Sequence, residues 1–241
     1  MMPPIRPIIM IPSRMNSVRL PNKPMAMIGT EPMIVHVWRR ACAAHVAPVV
    51  VVCDHEDIAY TITSVGGHAV MTQNHATGSD RLAQGIDLFD PQGQYTHVIN
   101  VQGDLPHFPS SVLGSILHPF SMPCVDMTTF IQPKDPSVAG AVHVRAQTML
   151  DQDGQSWMQC IDFTRHDWES DYTHLGVYAF RRSVLKQFSQ WPQTQREQSE
   201  SLEQLRMMDR NIFIAGVLLG KETFISVDTP ADLQRARAYG V

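Results

Sequence analysis

The chain has 241 residues, within reach of one hydrophobic core, since single cores grow to roughly 250 residues before they split. Hydrophobic residues make up 44% and charged residues 17%, a balance that excludes a disordered acidic or basic tail. The net charge of -4 gives no footprint for nucleic acid, which needs a face of clustered Lys and Arg. The apolar run from Ile5 to Ile11 is cut by Pro7 and followed by Pro12, too short to span a bilayer and without a signal-cleavage pattern, so no membrane insertion and a cytoplasmic location are expected. Cys42, Cys53, Cys124 and Cys160 are isolated and form no Cys-x-x-Cys pair, which predicts buried free thiols rather than disulfides or structural zinc.

In chain order, Pro7 to Ile11 reads as a buried strand followed by a long polar loop. A helix is predicted from Thr30 as N-cap, with Pro32 in its first turn and Ile34, Val37, Trp38 and Ala41 on one face. The valine run from Pro48 to Cys53 predicts a strand, and Asp54 is expected to cap the short helix after it, which Gly66 and Gly67 end. A strand over His68 to Met71, a helix from Ser79 to Phe89 and a strand over His97 to Val101 continue the alternation. The pattern predicts an α/β fold, a doubly wound and mostly parallel sheet that takes its ligand beyond the carboxyl ends of the strands.

After Val125 the runs shorten, at Val125 to Ile131, Gly140 to Val144, Met158 to Phe163 and His174 to Phe180, which predicts an antiparallel insertion in the middle third. A helix from Ser199 to Met208, strands over Asn211 to Leu218 and Thr223 to Val227, and a closing helix from Thr229 complete the chain. Residues 1 to 241 are expected to form a single domain, with a segment around 125 to 190 for ligand binding or dimerisation.

The loop after the first strand carries Arg14, Arg19 and Lys23, three cations where such a sheet receives a ligand. Guanidinium forks and an ammonium neutralise a triphosphate and stabilise charge shifting during phosphoryl transfer; a solvated surface loop is the competing reading. The loop lacks the spacing of a P-loop. Asp104 follows Gly103 at the edge of one strand, and Asp228 ends another. Either alone is a common turn or cap residue, but two strand-end aspartates beside a cationic loop fit Mg2+, held by one or two carboxylates and substrate phosphates.

Eight segments in order then carry a resemblance: PSRMNSVRLPNKP from Pro12, PMIVHV from Pro32, DHEDIA from Asp54, GSDRLA from Gly78, NVQGD from Asn100, HLGVY from His174, ESLEQLR from Glu200 and VDTPADL from Val227. Together they resemble the 3-deoxy-manno-octulosonate (Kdo) cytidylyltransferases, and they span nearly the whole chain. The resemblance implies a nucleotide-sugar pyrophosphorylase fold, a homodimer, and a Mg2+-dependent conversion of CTP and Kdo to CMP-Kdo and pyrophosphate for lipopolysaccharide synthesis. It implies that Ser13, Arg14, Arg19, Lys23, Ser79, Arg81 and Gln102 line CTP, with Arg14 and Lys23 on the triphosphate and Arg19 supporting the loop. It implies that Asp104 and Asp228 hold the metal. For the acidic sugar it implies Arg81, Gln102, Arg165, His174, Tyr178, Glu203 and Gln204.

Several positions depart from the family pattern. An acidic residue after the metal-site aspartate is replaced by Leu105, a lysine by His143 within the run beginning at Gly140, and the loop after Arg165 reads His166, Asp167, Trp168. These departures leave open a related 2-keto-deoxy or 8-amino sugar, or a weakly active nucleotide-binding homologue.

Overall fold

The first apolar run becomes strand β1 (Pro7–Ser13), whose residues from Ile8 to Ser13 are all buried. Strands buried on both faces read as continuous apolar runs rather than alternating ones, and that is what the sequence shows here. The computed structural model describes residues 4–135, 141–150, 156–166 and 170–240, and the chain divides into two compact units, one of Pro4–Leu113 with Thr223–Val241 and one centred on Gly114–Glu222.

In the first unit the polar loop ends in a 3-10 turn at Lys23–Met25, entered through Asn22 in a left-handed conformation that asparagine tolerates better than most residues. A small hairpin of β2 (Met27–Ile28) and β3 (Glu31–Pro32) follows. Helix α1 (Met33–Ala43) starts two residues later than a Thr30 cap would place it, with Pro32 at the N-cap position. Proline disfavours helical geometry in the residue before it, so Glu31 stays extended in the hairpin.

Strand β4 (Val49–Cys53) leads to helix α2 (Glu56–Ser64), then β5 (His68–Met71), α3 (Gly78–Phe89) and β6 (His97–Asn100). Asp54 does not cap α2: His55 does, its Nδ1 accepting the N–H of Asp57 at 3.2 Å. Thr77, one residue before α3, accepts the N–H of Asp80. Other histidines make local hydrogen bonds, His36 with the Ile28 carbonyl and His75 with the Gln84 side chain.

Apart from the antiparallel β2–β3 hairpin, the described strands of this unit pair in parallel, in the order β5, β4, β1, β6. The chain moves outward from β1 through β4 to β5 and then crosses to the other side of β1 for β6. The strand order therefore reverses at β1, and such a reversal opens a crevice beyond the carboxyl ends of the flanking strands. The cationic loop leaves β1 there, and the segment bearing Asp104 leaves β6 there.

The second unit begins within a 3-10 segment, Ser110–Ser121, that the sequence reading leaves unassigned. It contains β7 (Met127–Pro133), β8 (His143–Leu150), β9 (Ser156–Thr164), β10 (Tyr172–Arg181), helices α4 (Arg182–Phe188), α5 (Gln195–Glu200) and α6 (Gln204–Met208), and β11 (Ile214–Leu218). Among the described residues of this unit, β7 pairs with β11 in parallel, while β10 with β7, β11 with β9, β9 with β8, and β8 with β10 are antiparallel, so the pairings return to their start. The expected antiparallel segment is present.

The helix expected over Ser199 to Met208 is instead two. Ser201 takes a left-handed conformation, and Leu202 N–H closes α5 on the Glu197 carbonyl. Behind this break Glu197 and Arg206 form a buried ion pair, and the Arg206 guanidinium lies 4.0 Å from the centre of the Phe188 ring.

The chain returns to the first unit for helix α7 (Pro230–Ala238), capped by Thr229 in a reciprocal box with Asp232. The strand expected over Thr223 to Val227 is reduced to one bridge between Ile225 and His107. Cys53 and Cys160 are buried as expected, whereas Cys124 is exposed; all four cysteines are free. Gly140, Asp167 and Trp168 lie outside the described residues. Among the described residues, no helix is long and apolar enough to cross a membrane.

Candidate active site

Three chain segments of the first unit meet at the reversal point. Lys23 opens the 3-10 turn after the cationic loop, Asp104 follows β6, and Asp228 immediately precedes the cap of α7. The Lys23 ammonium donates to Asp104 Oδ2 at 2.6 Å and to Asp228 Oδ1 at 3.0 Å, and Arg19 Nη2 lies 3.1 Å from the same Asp228 oxygen. The two aspartates, remote in sequence, thus converge on a single nitrogen.

Local chemistry fixes each of them. A Cβ on Gly103 would lie 2.5 Å from the Pro12 carbonyl oxygen, so only glycine lets the chain preceding Asp104 approach the end of β1 this closely. The Asp104 carbonyl accepts the N–H of Val227 at 2.8 Å, which ties the two acidic segments together. Asp228 N–H and Thr229 N–H both donate to Asp232 Oδ2, at 3.1 and 2.8 Å. Burial opposes the Asp232 charge, but the Thr229 hydroxyl, these two N–H groups and Arg235 outweigh it and hold the carboxyl below its usual range. Asp228 therefore does not cap α7; Thr229 does, and Asp228 is left facing Lys23. Beneath them Ile28, Met33, Val227, Leu233 and Ala236 form one apolar cluster against which Leu20 and Ala26 pack, anchoring both flanks of Lys23 to α7.

Arg14 is exposed at the start of the loop and Ser13 is buried at the end of β1. Gln102 is half-buried beside Gly103, and Ser79 is buried in the first turn of α3. Arg81 is also buried, and its guanidinium reaches Asp54 Oδ2 at 2.9 Å and the Thr72 hydroxyl at 2.7 Å. The other oxygen of Asp54 accepts the N–H of Met15, at 2.9 Å, directly after Arg14. Arg81 thus acts on the loop through Asp54, a connection the sequence reading missed because Asp54 looked like a helix cap.

Of the seven residues expected at the sugar, Arg165, His174, Tyr178, Glu203 and Gln204 lie in the second unit, whereas Arg81 and Gln102 lie in the first. Tyr178 OH meets Gln204 Oε1 at 3.1 Å, and the His174 ring packs against Tyr178 and Phe163 with centroids 5.0 and 5.5 Å away. Gln204 is buried, and Nε2 has no hydrogen-bond partner among the described residues. Exchanging the two ends of the amide would only move the deficit to oxygen, so the side chain presents one unmet polar atom in either orientation.

Thr129 settles the state of His174. Its hydroxyl donates to the Val177 carbonyl at 2.7 Å and has no second proton to give, so His174 Nε2, 2.8 Å away, must carry hydrogen and donate to it. Burial, with the positive charge of Arg165 adding to it, lowers the His174 pKa to about 3. The neutral ring then keeps Nδ1 as an acceptor. Burial also raises the Tyr178 phenol, Glu203 reinforces the shift and Arg165 opposes it, so the hydroxyl stays protonated. Arg165 is held at the turn after β9, its Nε donating to the Glu200 carbonyl at 2.8 Å and its N–H to Glu200 Oε2 at 2.9 Å. The cluster offers a cation, a carboxylate and neutral hydrogen-bonding groups, a set suited to a hydroxylated acid.

Leu105 is buried, so the substitution puts an apolar side chain into the core where the family pattern has an acid. His143 is buried on β8 opposite Thr173 of β10.

Among the described residues there is no cluster of three or more His, Cys, Asp or Glu side chains able to hold a metal. Asp104 and Asp228 bring two carboxylates together, both bonded to the Lys23 ammonium.

The cytidylyltransferase family model matches residues 8–219. A 3-deoxy-manno-octulosonate cytidylyltransferase of Methylorubrum populi is 41% identical, the alignment covering 96% of this chain and 95% of the relative. One from Paramagnetospirillum magneticum is 39% identical, covering 97% of each. Among solved structures, a CMP:2-keto-3-deoxy-manno-octonic acid synthetase complexed with CTP superposes with a TM-score of 0.83, at 32% identity and 98% coverage of both chains. The chain belongs to the cytidylyltransferase family, and within it to the group of the 3-deoxy-manno-octulosonate enzymes.

Proposed function

We propose that the protein transfers a cytidylyl group from CTP to Kdo, giving CMP-Kdo and pyrophosphate for lipopolysaccharide synthesis in the cytoplasm. The observation that carries the reading is the meeting of Asp104 and Asp228 at Lys23, where the cationic loop and β6 leave the sheet. In the reaction the anomeric oxygen bonds to the α-phosphorus, the bond from that phosphorus to its bridging oxygen breaks, and the hydroxyl proton is released. No covalent enzyme intermediate is needed.

Arg14 and Lys23 bind the triphosphate and stabilise the charge that builds on departing pyrophosphate, and Arg19 supports them. Ser13, Ser79 and Gln102 line the nucleotide; Arg81 holds the loop through Asp54. Asp104 and Asp228 would hold Mg2+, which when bound lends Lewis acidity to a phosphate oxygen and acidifies a coordinated hydroxyl. Arg165 pairs with the sugar carboxylate, Gln204 and neutral His174 bond its hydroxyls, and Tyr178 and Glu203 fix its orientation.

The two units serve one nucleotidyltransferase, the segment around 125–190 supplying sugar contacts and self-association. Leu150, Ile161 and Leu218 expose apolar side chains on β8, β9 and β11 of the second unit, which supports a homodimer that light scattering would detect. Leu105 and His143 favour a second reading, a related 2-keto-deoxy or 8-amino sugar. A pyrophosphate-release assay with CTP, Mg2+ and a panel of acidic sugars tests both. Turnover with Kdo supports the first, turnover only with a relative supports the second, and nucleotide binding without turnover on any sugar overturns both.

A further inference from the structure

Lys23 is not an exposed phosphate hook. Its ammonium is mostly buried, with 15% of its side chain accessible, and it is seated between Asp104 and Asp228, while Arg19 takes a second place on Asp228. The two carboxylates therefore already have a matching cation. A divalent ion bridging Asp104 Oδ2 and Asp228 Oδ1 would take the position of the Lys23 nitrogen that bonds both, and two cations cannot share it.

We infer that Lys23 is an internal counter-ion that makes metal binding depend on nucleotide: the ammonium leaves the aspartates for the triphosphate, and only then do both carboxylates accept the divalent ion. This inference rests on the proposed metal role of Asp104 and Asp228. The elements for the exchange are present. Lys23 sits on a short 3-10 turn entered through left-handed Asn22, so its long side chain can swing without moving α1 or β1. The triphosphate carries about four negative charges against one on each aspartate, so it draws the ammonium away. Arg19, whose side chain is 65% accessible, is free of packing constraint and can follow. Linkage makes the effect reciprocal: removing the ammonium from the acids strengthens the metal, and the metal releases the ammonium to the phosphates. The device suppresses metal capture by the protein alone and couples assembly of the two charged ligands.

The test is Mn2+ titration of the nucleotide-free protein, with free Mn2+ followed by its electron paramagnetic resonance signal. Lys23→Gln should bind Mn2+ roughly tenfold more tightly than wild type, the size typical of such couplings. Lys23→Arg, which keeps the charge, should remain as weak as wild type. The gain in Lys23→Gln should vanish when Asp104→Asn or Asp228→Asn is added. Equal binding by wild type and Lys23→Gln, or no detectable binding by either, overturns the exchange. If wild type binds Mn2+, loses it in Asp104→Asn, and gains nothing in Lys23→Gln, the metal reading stands while the exchange fails. If the gain in Lys23→Gln survives both aspartate substitutions, the metal assignment itself is wrong.

Discussion

Arg81 Nη2 and Asp54 Oδ2 lie 2.9 Å apart, one on the first turn of α3 and the other just beyond β4, and the second oxygen of Asp54 holds the Met15 N–H. Both side chains are nearly buried, at 4% and 11% accessibility. Removing one member of such a pair strands the other charge, so Arg81→Ala should lose about 3 kcal/mol of stability in denaturant titration. Because Met15 adjoins Arg14, the KM for CTP should rise more than that for the sugar. A variant as stable as wild type with unchanged CTP kinetics would show that the pair supports nothing in the loop.

Asp104→Ala and Asp228→Ala should each cut pyrophosphate release by about a thousandfold, the several kcal/mol expected from losing a charge-stabilising ligand. Circular dichroism should show the fold retained, since the backbone bonds around them involve the Asp104 carbonyl and Asp228 N–H rather than their carboxylates. Wild-type rates in either variant would remove it from the metal site.

His174 predicts an acid limit on stability. An unfolded imidazole takes up a proton near pH 6.5, whereas in the folded protein it resists until about 3. Below pH 6.5 the unfolded state therefore binds the extra proton, and stability should fall by at most about 1.4 kcal/mol per pH unit through this window. His174→Gln should flatten that slope. Since the ring does not titrate above pH 6.5, it should add no inflection to sugar KM between pH 7 and 8. An unchanged stability slope in the variant would mean that His174 is protonated in the folded state.

Arg165→Ala should raise the apparent KM for the acidic sugar by about tenfold or more, as loss of a charge-assisted pair implies, while leaving CTP affinity nearly constant. Equal effects on both substrates would place Arg165 outside the sugar contacts.

Part of the frame around these residues was legible, although the strand expected to end at Asp228 is reduced to one bridge. The buried β1 and β4 runs, the glycine before Asp104 and the position of Asp228 before a helix all followed from period, burial and turn chemistry. What escaped was the use of polar groups between distant segments. Asp54 has the sequence context of a helix cap, yet Arg81 and Met15 claim its oxygens, so His55 caps instead. Nothing near Thr129 shows that its one proton fixes His174. The buried Glu197 and Arg206 pair behind Gln204 is likewise invisible, because ten residues of loop and helix must first fold back. Ser201 turns left-handed within a stretch that has helical periodicity, so one expected helix became two.

The most direct test is anomalous diffraction from crystals grown with Mn2+ and a non-hydrolysable CTP analogue. The account predicts one Mn2+ peak shared by Asp104, Asp228 and phosphate oxygens, with the Lys23 ammonium moved onto the triphosphate. A nucleotide bound elsewhere, or a metal touching neither aspartate, would contradict it.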